Sequence, residues 1–367
     1  MLLSKSRDTN AGSGVVPRLV VRRPRGDASR GAPPGLRVSR RRGFEMREDI
    51  PAVDLSLGED AVASTIRRAC TTHGFFYVVN HGVSDQEVGA MVRAMKAFFA
   101  LPEEKKRTVL QDENNRGWTP MGEETLDPAT QVSGDTMEGY YIGREIAPDS
   151  PEFGLPLRGA NNWPDESALG LSAPFRAPMR AYHAACVRLC RSLMRPFALA
   201  LDMPPDFFDD KFTHPTALLR PLRYAAARSR PEEGVLAAGA HSDYGVLTAL
   251  WTDGTPGLQI LDPDDGTWRD VAHVPGALVC NVGDLCERWT NGVFKSTVHR
   301  VVTAGTSERF SAAFFWEPNF DAVVKAVPRC VTDDNPAKFP PVVYGEYILD
   351  KYRQTHAGFD GGGEGHS

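Results

Sequence analysis

The sequence predicts a mainly β protein with flanking helices, built as a double-stranded β-helix or jelly roll. From Leu218 onward the chain reads as short strands and tight turns, with Asp264-Asp265-Gly266 a strong turn signal. Residues 178–203 ahead of it carry Tyr182, Cys186, Leu189, Leu193 and Phe197 along one helical stripe, a helix that would support a sheet. Within the strands, His241-Ser242-Asp243 sets two metal-ligating side chains one residue apart. Side chains alternate along a strand, so both reach the same face, and a second histidine must arrive from another strand.

In chain order, residues 1–45 hold eleven basic against three acidic residues and no helical or strand periodicity, which reads as a disordered basic leader. Such a leader is either an organelle transit peptide, plastid or mitochondrial, or sequence upstream of a start at Met46. Residues 51–55, 60–73 and 75–79 then predict strand, helix, strand. Ser84, with Glu87 three residues on, is a capping-box start for a helix running to Phe99, and Pro102 opens another short one. Residues 111–162 lack periodicity and read mostly as loop, with Tyr140-Tyr141 on a strand. Further strands are expected over 245–252, 257–261, 268–271, 277–282 and 294–302. The domain reading is a leader at 1–45, an N-terminal region at 46–165 packed as a layer on the barrel, the long helix and jelly roll at 166–356, and a disordered tail at 357–367.

With 367 residues, 41% hydrophobic and 24% charged, the chain has the make-up of a soluble globular protein, and no apolar run approaches a membrane span. Beyond residue 45 there are thirty-one basic against forty-four acidic residues, and this acidic body argues against nucleic acid as a partner. Six cysteines lie scattered, without zinc-site pairing or disulfide density, which suits a reducing compartment and iron(II). Cys186 and Cys190 read as part of the helix stripe, and His81 and His273 as turn residues.

His299 is the histidine placed to join His241 and Asp243. Two imidazoles and a carboxylate on one side of a metal leave open positions, which suits non-haem iron(II), although the same ligands could hold zinc. Arg309 and Ser311 share a face on the following strand and offer a guanidinium fork and a hydroxyl to a carboxylate reaching in from the metal. A dicarboxylic keto acid fits that description.

On these residues the chain resembles the 2-oxoglutarate/iron(II)-dependent dioxygenases of the isopenicillin N synthase-like family. The matching pattern is H-x-D, about 55 residues, H, about ten residues, R-x-S, met at His241, Asp243, His299, Arg309 and Ser311. The likeness runs from about Ile50 to about Tyr352, through Gly74-Phe75-Phe76-Tyr77, Asn80-His81-Gly82 and Glu317-Pro318-Asn319. It implies that His241, Asp243 and His299 bind Fe(II) and that Arg309 and Ser311 grip the distal carboxylate of 2-oxoglutarate. Tyr224 would help, although the family's usual Tyr-Pro is Tyr224-Ala225 here. Arg116 and Trp118 stand where the family often places substrate-side residues, and Phe315 and Glu317 where plant flavonoid members contact substrate. The implied reaction hydroxylates, desaturates or cyclises a small organic molecule with O2, releasing succinate and CO2. Two other readings stay open: an Fe(II) oxidase of the superfamily that does not use 2-oxoglutarate, and a non-catalytic small-molecule binding protein on the same fold. A cytoplasmic monomer is expected, or an organellar one if residues 1–45 are a transit peptide, with no nucleic acid or membrane partner.

Overall fold

A computed structural model describes residues 50–355; the expected leader at 1–45, a start at Met46 and the tail at 357–367 lie outside the described residues. The N-terminal part runs β1 (Ala52–Asp54), α1 (Glu59–Thr72), β2 (Phe75–Val79), α2 (Asp85–Phe99), α3 (Glu103–Lys106), β3 (Gly117–Thr119) and β4 (Met137–Tyr141). Next come α4 (Glu166–Leu169), the long α5 (Arg176–Ala200), β5 (Pro215–Tyr224), β6 (Ala238–His241), β7 (Leu247–Thr252), β8 (Leu258–Leu261) and β9 (Trp268–Asp270). The chain continues through β10 (Leu278–Val282), α6 (Asp284–Trp289), β11 (His299–Val301), β12 (Arg309–Asn319), β13 (Val323–Val324), β14 (Val342–Val343) and α7 (Tyr344–Thr355).

Local chemistry fixes several of these ends. Ser84 Oγ accepts from Glu87 N–H at 3.2 Å while Ser84 N–H donates to the Glu87 carboxylate at 2.8 Å, the reciprocal cap that starts α2. The loop expected over 111–162 carries two short strands: β3, which includes Trp118, pairs with β4 through Gly117 to Tyr141. The strand expected over 294–302 shrinks to His299–Val301. Phe294 N–H donates to Thr290 Oγ1, Lys295 N–H to the Cys70 carbonyl and Ser296 N–H to the Glu287 carboxylate, so these donors are engaged outside the ladder.

Eight strands form a major sheet in the order β1-β2-β10-β7-β12-β5-β4-β3, and four form a minor one in the order β6-β11-β8-β9. On one face of the major sheet, α1, α2 and α5 share a core with Phe76, Leu219, Leu247, Cys280 and Phe314. Cys186 and Cys190 are buried in that layer, as a helix stripe requires. The other face meets the minor sheet, where Phe75, Tyr77 and Val279 pack against Leu258 and Ile260. β12 separates the two faces by alternation: Phe310, Ala312, Phe314 and Trp316 lie in the helix-side core, and Arg309, Ser311, Ala313, Phe315 and Glu317 point the other way.

Candidate active site

The minor sheet brings the two histidines together, because His241 on β6 stands directly opposite His299 on β11. Asp243 follows two residues after His241, and one ligand atom from each of the three lies within 4.8 Å of the others. His241 Nε2 is 4.0 Å and His299 Nε2 3.8 Å from Asp243 Oδ1. Each imidazole is oriented from behind: His241 Nδ1 bonds the Gly239 carbonyl at 2.8 Å and His299 Nδ1 the Thr297 carbonyl at 3.1 Å. A carbonyl can only accept, so both Nδ1 atoms carry the proton and both Nε2 lone pairs face Asp243. The carboxylate is held by the major sheet, where Thr248 on β7 and Asn281 on β10, paired in register, donate to Oδ2 at 2.6 and 2.7 Å. Oδ1 is thereby left toward the histidines.

Electrostatics suits a cation at this point. Burial, reinforced by His299, pushes His241 down to about 4, so its imidazole is neutral at pH 7. Burial opposes ionisation of Asp243, but the two histidines and the bonds from Thr248 and Asn281 outweigh it and hold the carboxylate below its usual range. Two imidazole nitrogens and one carboxylate oxygen on one side fit iron(II) with positions left open.

Across the barrel, register sets the second cluster: Arg309 pairs with Tyr224, and Ser311 lies between Leu222 and Thr252. Arg309 is 1% exposed, its Cζ 4.8 Å from the centre of the Tyr224 ring, while Ser311 Oγ donates to Tyr224 Oη at 3.3 Å. Arg309 Nε makes a 3.3 Å bond to the Thr255 carbonyl, and its buried Nη1 has no partner. An orphaned guanidinium nitrogen beside a hydroxyl pair is costly unless an anion completes it, so the site fits a carboxylate.

Further along the same face of β12 stand Phe315 and Glu317. Phe315 is half-buried and in register with Thr248. Glu317 is 5% exposed, has one oxygen unpartnered, and is pushed up to about 8 by burial with Asp243 adding to the shift. Arg220, next to Ala313 in register, is buried against Glu124 and lies 4.5 Å from the Tyr141 ring, whose hydroxyl donates to Glu124 at 3.2 Å. Sequence reasoning did not single out Thr248, Asn281, Glu124 or Arg220; an arginine between Leu218 and Leu222 on the Tyr224 face of its strand is the signal that could have found the last.

Trp118 and Arg116 are placed elsewhere. Trp118 belongs to the helix-side core, with Nε1 bonded to Glu138 at 2.7 Å, so it packs between layers rather than facing the metal cluster. Arg116 donates to the carbonyls of Asn114, Asn115 and Leu157, pinning loop to loop. His81 and His273 also stay outside the cluster, His81 accepting the Val83 N–H within its turn at 3.1 Å.

Fold and site together define a mononuclear non-haem iron oxygenase. Residues 50–166 match the family described as non-haem dioxygenase in morphine synthesis N-terminal, and residues 219–318 match the 2OG-Fe(II) oxygenase superfamily. A kihadalactone A synthase from Citrus sinensis is 35% identical over 301 residues, 80% of this chain and 88% of that one. A 2-oxoglutarate-Fe(II) type oxidoreductase from Emericella nidulans is 33% identical, covering 83% and 90%. Among solved structures, a full-length Neurospora crassa protein in complex with alpha-KG superposes with a TM-score of 0.73 at 30% identity over 84% of this chain and 98% of that one. The chain belongs to the 2-oxoglutarate- and Fe(II)-dependent oxygenase superfamily: it is an oxidoreductase that uses Fe(II), 2-oxoglutarate and O2 on a small organic molecule.

Proposed function

We propose that His241, Asp243 and His299 are the three iron ligands of this dioxygenase, and that Arg309, Ser311 and Tyr224 hold the distal carboxylate of 2-oxoglutarate. The observation that carries the reading is Arg309, a buried cation with one nitrogen unpartnered on the face opposite the His-Asp-His cluster. When bound, iron(II) and 2-oxoglutarate supply the O2-dependent chemistry that couples release of succinate and CO2 to oxidation of the substrate. The chain's own part is orientation. The Gly239 and Thr297 carbonyls keep the imidazole lone pairs toward the metal, and Thr248 and Asn281 fix which Asp243 oxygen faces it. Arg309, held over the Tyr224 ring, sets how far a five-carbon diacid reaches in.

Phe315 and Glu317 then line the substrate side, with the Arg220–Glu124 pair and Tyr141 beyond them. This reading gives the substrate an aromatic wall and a polar end; hydroxylation, desaturation and cyclisation are the reactions such a site performs. The N-terminal region at 46–165 acts as a layer on the barrel at 166–356, supported by a core that runs from Val53 to Tyr352. A cytoplasmic monomer acting without nucleic acid or membrane is the accompanying proposal. The acidic composition beyond residue 45 supports the part that concerns nucleic acid, and no helix among the described residues is long and apolar enough to cross a membrane.

The test is anaerobic addition of Fe(II), then 2-oxoglutarate, while watching for the weak visible charge-transfer band of the chelated keto acid. Wild type should develop the band, and Asp243→Ala should lose both the band and all succinate formation. A folded, iron-loaded wild type without the band would reassign Arg309 and Ser311 to a substrate carboxylate and make the enzyme 2-oxoglutarate-independent.

A further inference from the structure

The segment between β3 and β4, residues 120–136, folds back along the stretch that leads into β6, tied there by Val132 N–H to the Gly234 carbonyl and Thr136 N–H to the Leu236 carbonyl, both at 3.1 Å. β6 is the edge strand of the minor sheet. Its pairing with β11 is irregular where it matters: His241 faces His299 but Ala238 faces Val301, so three steps on β6 oppose two on β11. The extra residue is a bulge at Gly239-Ala240, immediately before the histidine. Bulges re-aim the side chains beside them, and a glycine at such a point is the residue least able to fix its own backbone.

Something outside the ladder must hold Gly239, and Asp135 does so. Its side chain is wholly buried, at 0% exposure, and accepts from the Gly239 N–H at 2.8 Å, from Gln131 Nε2 at 2.8 Å and from the Leu126 N–H at 3.2 Å. The loop also presses directly on the glycine: a Cβ at 239 would stand 2.1 Å from Gln131 Oε1 and 2.7 Å from the Asp127 nitrogen. The carbonyl of this same Gly239 takes the Nδ1 proton of His241. His299 is backed differently, by Thr297, whose hydroxyl bonds the His73 carbonyl.

The geometry points to Asp135 as a positioning residue for the iron site: by bonding the Gly239 N–H it locks the bulge that aims His241, so that a loop remote in sequence sets the orientation of one ligand. This rests on His241 being an iron ligand. Partners one step behind a metal ligand change affinity by about 10–100-fold when removed. Asp135 acts through the backbone of the bulge, so the low end of that range is expected.

The experiment is competition of full-length protein with a chelator for Fe(II) under anaerobic conditions, followed by the 2-oxoglutarate charge-transfer band, for Asp135→Ala, the isosteric Asp135→Asn and Thr130→Ala. Thermal melting of each metal-free variant runs alongside. Thr130→Ala removes a bond within the loop, from Thr130 Oγ1 to the Asp127 carboxylate, and leaves the bonds of Asp135 to Gly239 and Gln131 in place, so it reports what loosening the loop does by itself. Asp135→Ala should weaken Fe(II) about tenfold and shift the band, Asp135→Asn should fall between it and wild type, and Thr130→Ala should bind Fe(II) like wild type even where it lowers the melting temperature. Asp135 variants that bind Fe(II) within twofold of wild type, or a Thr130→Ala that weakens it as much as they do, would overturn the proposal. A wild type that binds no Fe(II) would instead bring down the ligand assignment, and this inference with it.

Discussion

Replacing Arg309 with methionine should split stability from ligand binding. In the ligand-free protein Arg309 is a cation at 1% exposure with Nη1 unpartnered, so its removal relieves about 1–3 kcal/mol of uncompensated polar burial. Against that stand the stacking on Tyr224 at 4.8 Å, about 0.5–2 kcal/mol, and one long bond to Thr255. These terms nearly cancel, and the melting temperature should move by no more than about 2–4 °C. Binding of 2-oxoglutarate has no such compensation. Truncating one partner of a buried charge pair costs about 2–5 kcal/mol, and about 1.4 kcal/mol is tenfold in affinity, so the dissociation constant should rise about thirtyfold or more. The assay is the anaerobic charge-transfer titration, with thermal melts of the metal-free protein. Affinity within about threefold of wild type would refute the clamp, and a collapse of the ligand-free variant would show that Arg309 serves the fold instead.

Two further outcomes concern Glu317. Its folded-state pKa is pushed up to about 8 by burial and then by Asp243, so between its ordinary value near 4.5 and 8 the folded protein holds a proton that the unfolded chain has lost. Its contribution to stability is therefore complete below about pH 4.5 and declines as pH rises through 8. Metal-free wild type should lose melting temperature relative to Glu317→Gln between pH 5 and pH 8, and a difference constant across that window would sink the argument. Gly245→Ala should cost about 1–3 kcal/mol, because its Cβ would stand 1.8 Å from Glu317 Oε1. Adding Glu317→Ala should recover at least about 1 kcal/mol in a double-mutant cycle, and simple additivity of the two would contradict the contact.

Period-two alternation made much of the site's geometry legible, since it is local. It puts Arg309, Ser311, Phe315 and Glu317 on one face and needs only neighbours in sequence to be read, whereas Asp243 lies two residues past the end of β6 and is held beside His241 by Thr248 and Asn281. What it could not reach are groups that meet across long spans of chain. Asn281 finds Asp243 across 38 residues, Arg220 finds Glu124 across 96 and Asp135 finds Gly239 across 104. Position in the chain also says little about which face of a sheet a side chain takes: β3 turns Trp118 toward the helices. The strand before His299 is short because its donors bond to α6 and α1 instead, competition that a propensity cannot register. α7 was missed although Tyr344, Ile348 and Tyr352 recur every four residues along it, all of them buried.

β12 is a partition wall, and that limits how the enzyme can change. Phe310, Ala312, Phe314 and Trp316 are mortared into the helix side, so the strand cannot slide by one residue without exchanging chemistry for grease along its whole length. Its opposite face is thereby free to vary one position at a time. Ala313, Phe315 and Glu317 can be exchanged for other side chains while Arg309 and Ser311 keep their distance from the iron ligands. If that face meets the substrate, as proposed, new substrates are a matter of repainting one side of a fixed wall, a short evolutionary step for a protein whose cofactor chemistry stays the same.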